Sequence, residues 1–146
     1  MNYQLSKNFS LEELTVTRSQ LPNVPSAPDV ERLQSLVTNV LQPLRDLYGQ
    51  AICVNSAFRS PAVNRAIGGA SNSQHLAGEA ADLEVVDNAL LFNLIRNHLP
   101  FDQLIWESGN DQHPAWVHVS FRATGNRHQV LKMKVINGKK KYLVFN

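Results

Sequence analysis

An aspartate in the middle of a short strand, with alanines beside it, constrains this chain more than any other feature. Asp82 lies in Glu79-Ala80-Ala81-Asp82-Leu83-Glu84-Val85-Val86. Period-2 alternation puts Ala80, Asp82 and Glu84 on one face and Ala81, Leu83 and Val85 on the other. A carboxylate on the inner part of such a strand is costly to bury unless a partner or a metal neutralises it. His75 precedes it by seven positions, after the turn-forming Gly68-Gly69-Ala70-Ser71-Asn72-Ser73, with Gly78 and two alanines between. Imidazole nitrogen and carboxylate oxygen are both good zinc ligands, and a catalytic zinc takes a third protein ligand and keeps a fourth position open. Trp116-Val117-His118-Val119-Ser120 offers that third ligand, with Trp116, His118 and Ser120 on one strand face and Val117, Val119 and Phe121 on the other. Taken alone, His118 reads better as a hydrogen-bonded core histidine. Together His75, Asp82 and His118 form an open two-histidine, one-carboxylate set, which suits activation of water for attack on an amide. Non-haem iron uses the same donors, but commonly with the first histidine two residues from the carboxylate.

The 146 residues suit one domain with its own core, without staples. The hydrophobic fraction of 43% and charged fraction of 18% exclude a disordered chain. A net charge of +2 demands no polyanionic partner. Only the C-terminal stretch is basic, with Arg122, Arg127, Lys132, Lys134 and Lys139 to Lys141 and no acid, so nucleic acid is not an expected partner. Cys53 cannot pair internally and is expected to be a buried thiol. The N-terminal residues lack the apolar core of a signal peptide, and no apolar run is long enough to span a bilayer. The expectation is a monomer made as a soluble cytoplasmic product, which needs another agent for release.

Along the chain, Ser10 and Glu13 make a capping-box pattern before a short helix, with Phe9 and Leu14 as a staple. From Asp29 to Leu47 apolar residues recur at three and four, which predicts the longest helix, with Pro43 kinking or shortening it. A strand over 50–58 leads to Arg59-Ser60-Pro61 and a short helix. Arg59, between a strand and a helix start, either projects into a cleft or pairs with a surface carboxylate. Residues 88–99 predict a helix, and 102–107 and 116–121 predict two strands joined by a polar loop. Asn137-Gly138 between two alternating runs is a strong hairpin signal. The expected fold is a single α+β domain over 1–146. A small antiparallel sheet carries the site, helices pack on its other face, and a β-hairpin closes the C-terminus. That hairpin, with Lys132 and Lys134 on one strand and Lys139 to Lys141 on the other, reads as a lysine-protected edge or as an anchor to an anionic cell envelope.

Ser73-x-His75-x-x-Gly78-x-Ala80-x-Asp82, followed by Trp116-Val117-His118-Val119-Ser120, resembles the zinc D-alanyl-D-alanine carboxypeptidase family of metallopeptidases. The likeness is greatest to the small carboxypeptidase-like domain of phage endolysins and virion-associated lysins. It runs from Phe9-Ser10-x-x-Glu13-Leu14 through Phe101-Asp102-Gln103-Leu104-Ile105-x-Glu107 to Phe121, leaving the basic hairpin outside its strongest part. The resemblance implies that His75, Asp82 and His118 bind Zn2+ and that Arg59, in Ser56-x-Phe58-Arg59-Ser60, orients the substrate or polarises its scissile carbonyl. It implies a peptidoglycan stem peptide as substrate, reached after release of the protein as a lysin or as a virion component. Many relatives carry an acid three residues before the last histidine ligand; here that position is Ala115. Glu107 is the expected replacement as general base, with His113 as the second candidate. The missing acid also keeps open a non-hydrolytic, zinc-containing wall-binding or structural module of the same fold.

Overall fold

Ser10 accepts the Glu13 amide at 3.2 Å and starts α1 (Leu11–Leu14), while Phe9 and Leu14 are buried in the core. The structure, a computed structural model, describes residues 3–145, so Met1, Asn2 and Asn146 of the expected single domain lie outside the described residues. The long periodic stretch starts with Ser26, whose side chain and that of Asp29 satisfy each other's backbone amides in a full capping box. It runs through α2 (Ala27–Leu36), a π-helical turn (Val37–Leu41) and α3 (Gln42–Tyr48), and stops at Gly49 in the left-handed region. Pro43 has no amide hydrogen for the helical ladder; the widened turn before it, with the Gln42 amide bonded to the Val37 carbonyl, absorbs that gap. Leu33, Leu36, Val37, Val40, Leu41 and Leu44 are fully buried, whereas Leu47, expected on the same stripe, is exposed. Each buried leucine contributes about 2 kcal/mol of hydrophobic stabilisation.

The chain then enters the sheet with β1 (Cys53–Ser56) and leaves it through α4 (Pro61–Ala66) and a 3-10 turn (Gln74–Ala77). It continues through β2 (Ala80–Glu84), α5 (Asn88–His98), β3 (Gln103–Glu107), β4 (Trp116–Ser120), β5 (Gln129–Ile136) and β6 (Lys139–Val144). The six strands lie in the order β1-β2-β4-β3-β5-β6. All neighbours are antiparallel except β3 and β5, so the sheet is mixed rather than wholly antiparallel. The return from β4 to a strand beside β3 in the same direction is what makes that pair parallel. Asn137 and Gly138 both take positive φ (53° and 76°), as a tight two-residue hairpin turn requires.

Alternation along the strands separates two faces. Ala81, Leu83, Leu104, Trp106, Val117 and Val119 join the helices in the main core, and Phe92 of α5 packs edge-on to Trp106 at 5.2 Å. The opposite face carries Asp82, Glu107 and His118, with a smaller apolar cluster of Ile105, Leu131 and Met133. Cys53, expected to be buried, is exposed: Val54 takes the inward position on this edge strand, so its neighbour must point out.

Candidate metal centre and active site

The strand register brings the first two site residues together directly. Asp82 on β2 is the antiparallel partner of His118 on β4, so their side chains leave the same face as neighbours. His118 Nδ1 lies 3.0 Å from Asp82 Oδ1. His75 arrives from the 3-10 turn, which Ser73 caps and Gly78 ends. Gly78 has φ 74°, and a Cβ there would meet the Asp29 carbonyl oxygen of α2 at 2.8 Å. Only glycine both reverses the chain and passes α2 this closely, and that reversal sends the backbone from His75 into β2.

His75 is held by its ring. Its Nδ1 lies 2.6 Å from the Ala57 carbonyl oxygen, which can only accept, so Nδ1 carries the proton. In the neutral ring this leaves the Nε2 lone pair facing Asp82 Oδ2 at 3.3 Å. Burial pushes His75 toward the neutral form, below the ordinary histidine range. Burial alone would raise the Asp82 carboxyl, but the two histidines beside it outweigh that cost and hold the group well below the usual carboxylate range. One ligand atom from each of the three residues lies within 4.8 Å of the others. Bonds of about 2.0–2.1 Å at a tetrahedral centre place donors about 3.3 Å apart, and each histidine nitrogen lies close to that distance from one of the two Asp82 oxygens. The donor set therefore fits a small tetrahedral cation such as zinc, with a carbonyl fixing the tautomer of one histidine from behind.

Arg59 lies beside this cluster rather than on the outer surface. Its Nη2 donates to Asp82 Oδ2 at 3.1 Å and its Nε to Ser56 Oγ at 3.0 Å, and Asn64 Oδ1 lies 3.4 Å from Nη1. Glu107 projects from β3 on the same face, one row along the sheet from His118, because Ile105 pairs with His118 and Glu107 with Trp116. Burial pushes its carboxyl up to about 7, against the pull of the His118 charge. His75, Asp82, His118, Arg59 and Glu107 all line one cleft of about 700 Å³. A second hollow of about 400 Å³ shares Asp82 and Trp116 with it on the β1 side.

His113 is not brought to the site. It lies on the exposed loop between β3 and β4, absent from the cleft lining, and its Nδ1 is 3.9 Å from Asp87 at the start of α5. The loop turns outward after Ser108 and Gly109, both at positive φ, and carries His113 with it. The structure also adds residues that sequence patterns did not single out. Asp102 is fully buried and accepts from the Arg127 amide, from Arg127 Nε and Nη2, and from Gln74 Nε2, which ties the His75 turn to the chain entering β5. Arg127 holds the Asp102 carboxyl down at about 2. Lys140, Tyr142 and Val144 line the cleft from β6. Alternation groups those three on one strand face, but nothing in it says that this face meets the cleft.

A mixed sheet with two histidines and an aspartate converging under a cleft defines a metal-site domain of the hydrolase type. A sequence profile described as Peptidase M15 matches residues 7–120, and the chain belongs to that family. The chain is 38% identical over 95 residues to the zinc D-Ala-D-Ala carboxypeptidase of Streptomyces albus G, an alignment covering 62% of this chain and 37% of that protein. The match thus spans little more than a third of the relative's length. Among the described residues, no helix is long and apolar enough to cross a membrane.

Proposed function

We propose that this chain is a zinc-dependent peptidase domain that hydrolyses peptide bonds in peptidoglycan stem peptides, as a D-Ala carboxypeptidase or as the cutting domain of a lysin. The observation that carries this reading is the convergence of the His75, Asp82 and His118 donors with Glu107 and Arg59 in one cleft. Membership of the Peptidase M15 family and the likeness to a zinc carboxypeptidase support it. His75 through Nε2, His118 through Nδ1 and Asp82 through one carboxylate oxygen would hold the metal. Zinc, when bound, supplies a Lewis acid that polarises a carbonyl and makes water a stronger acid. Glu107 accepts the proton of the attacking water on its carboxylate and passes it to the leaving amine. Its elevated proton affinity suits a group that must both take and return a proton near neutrality. Arg59, kept in place by Ser56 and Asp82, aims its remaining N–H groups at the oxygen of the scissile carbonyl. The presence of Glu107 in the cleft favours this reading over a non-hydrolytic module, because it supplies the acid that Ala115 lacks.

The test is metal analysis combined with hydrolysis of an N-blocked D-Ala-D-Ala peptide. Wild-type protein should retain one zinc per chain after dialysis and release D-Ala. His118→Ala should lose both the zinc and the activity. Full zinc retention and unchanged turnover in that variant would sink the assignment.

A further inference from the structure

Two rows of side chains cross the site face of the sheet. One row runs Asp82, His118, Ile105, Leu131, Val144; the next runs Trp116, Glu107, Met133, Tyr142. The parallel β3–β5 pairing thus extends the catalytic face through β5 and β6, beyond the residues 7–120 that the family profile matches. Lys140, two residues before Tyr142 on β6, belongs to the same face and lines the same cleft, whereas Lys141 pairs with Lys134 on the opposite face.

Three cationic side chains line the cleft. Arg59 is bonded to Asp82 and Arg127 to Asp102. Lys140 has no ion-pair partner, and the Tyr142 hydroxyl no hydrogen-bond partner, among the described residues. Beside them, Leu131 and Val144 give the same wall an apolar surface. Asp82 lies across the sheet on β2, and Glu107 stands in the Tyr142 row two strands away, close enough for the Lys140 charge to act on it without an ion pair. An uncommitted ammonium and a phenolic donor over an apolar patch complement a carboxylate attached to a small apolar residue.

We infer that Lys140 and Tyr142 form a carboxylate-binding subsite for the peptide substrate, so that the C-terminal hairpin is a specificity wall of the active site. The inference rests on the peptidase reading and deepens it. Lys140 lies three sheet spacings, about 14 Å, across from β4 and two same-face rows, about 13 Å, along from the His118 row. The backbones are thus about 20 Å apart, a separation that the flexible lysine stem shortens. An extended peptide advances about 3.3–3.6 Å per residue, so the carboxylate lies up to about four residues beyond the cut. It is either the C-terminal α-carboxylate or a side-chain carboxylate further along.

Three blocked peptides, N-methylated at the scissile amide so that they bind uncut, separate these sources. One ends in D-Ala-D-Ala as the free acid, the second is its C-terminal amide, and the third is an amidated peptide carrying a single glutamate side chain after the cut. Binding to the zinc-loaded protein is measured by calorimetry for wild type, Lys140→Met, Tyr142→Phe and Lys141→Met. Wild type should prefer at least one acid over the neutral amide by about ten-fold, the scale of one charge-assisted hydrogen bond. Lys140→Met should reduce that preference to within about two-fold, Tyr142→Phe should lower it less, and Lys141→Met should keep it, as a local contact requires and a general positive field does not. The acid that loses its advantage identifies the source. The subsite is overturned if wild type shows no preference, if Lys140→Met retains it, or if that variant weakens acid and amide alike, as a partner of Glu107 would. Hydrolysis of the unmethylated peptide is scored separately. A wild-type protein that binds acids selectively but cuts nothing keeps the subsite and loses the peptidase reading.

Discussion

The body of the domain and its C-terminal hairpin solve opposite problems with the same sheet. In β2, β3 and β4 almost every residue is buried, on one face against helices and on the other beneath the cleft. In β6 every residue is exposed, including Tyr142 and Val144. The body can therefore hold charged groups at fixed geometry, Asp82, His75, His118 and Arg59 by packing and close polar contacts and Glu107 by packing. The hairpin is held through β5, which pairs with β3 and buries Leu131 and Met133, and at its ends, where Arg127 is bonded to Asp102 and Phe145 packs against Phe92 and Trp106 with the Arg96 guanidinium above it. Its edge is guarded by Lys139 to Lys141, which discourage pairing with another chain. On the proposed reading, chemistry belongs to the buried strands and selection to the exposed β6.

That division can be broken most severely at Glu107. Glu107→Gln keeps the shape and removes the proton acceptor, so turnover should fall by about two to four orders of magnitude while zinc stays bound. Initial rates and metal content together check this; near-normal turnover would remove Glu107 from the mechanism and return the base to another group. In the same body, Leu83→Ala should cost about 2–5 kcal/mol of unfolding free energy in denaturant, because the site is fully packed and cannot collapse.

A smaller effect comes with pH. The Glu107 carboxyl of the metal-free fold sits at about 7, above its ordinary value of 4.5, so the native state binds more protons than the unfolded chain between those values. Its contribution to stability is therefore present below about 4.5 and is lost as pH rises toward 7. Denaturant midpoints of the metal-free protein should show this fall, and Glu107→Gln should flatten it. Asp102 acts in the opposite sense. Its carboxyl is held at about 2 rather than 3.8, so the tie to Arg127 is intact above 3.8 and weakens as pH falls toward 2. Asp102→Asn should remove that acid-limb loss.

The smallest effect belongs to the hairpin. Val144→Ala removes an exposed methyl-bearing side chain and should change stability by no more than about 0.5 kcal/mol. A destabilisation as large as that of Leu83→Ala would show that the hairpin is part of the core and not an appended wall.

Much of the site was legible in the chain itself. Alternation around Asp82 and His118 set which way both side chains leave their strands, because the valines and leucines between them must be buried. The turn signals around His75 and the Asn137-Gly138 pair marked two of the chain reversals for the same reason, since few residues tolerate the backbone those turns need. Local rules of this kind act within a few residues and survive in any tertiary context. They favoured Glu107 over His113 but could not show that Glu107 shares the face of His118 while His113 lies out by Asp87, because that depends on how β3 pairs with β4 and where the loop between them turns. Nor could they place Cys53 outside, which follows from β1 being an edge strand. The basic hairpin was the least legible region. Its lysines are written in the sequence, but only the parallel register of β5 beside β3 decides that Lys140 meets the cleft and Lys141 does not. A non-local pairing is set by the burial of whole faces against one another, and no spacing within either strand encodes it.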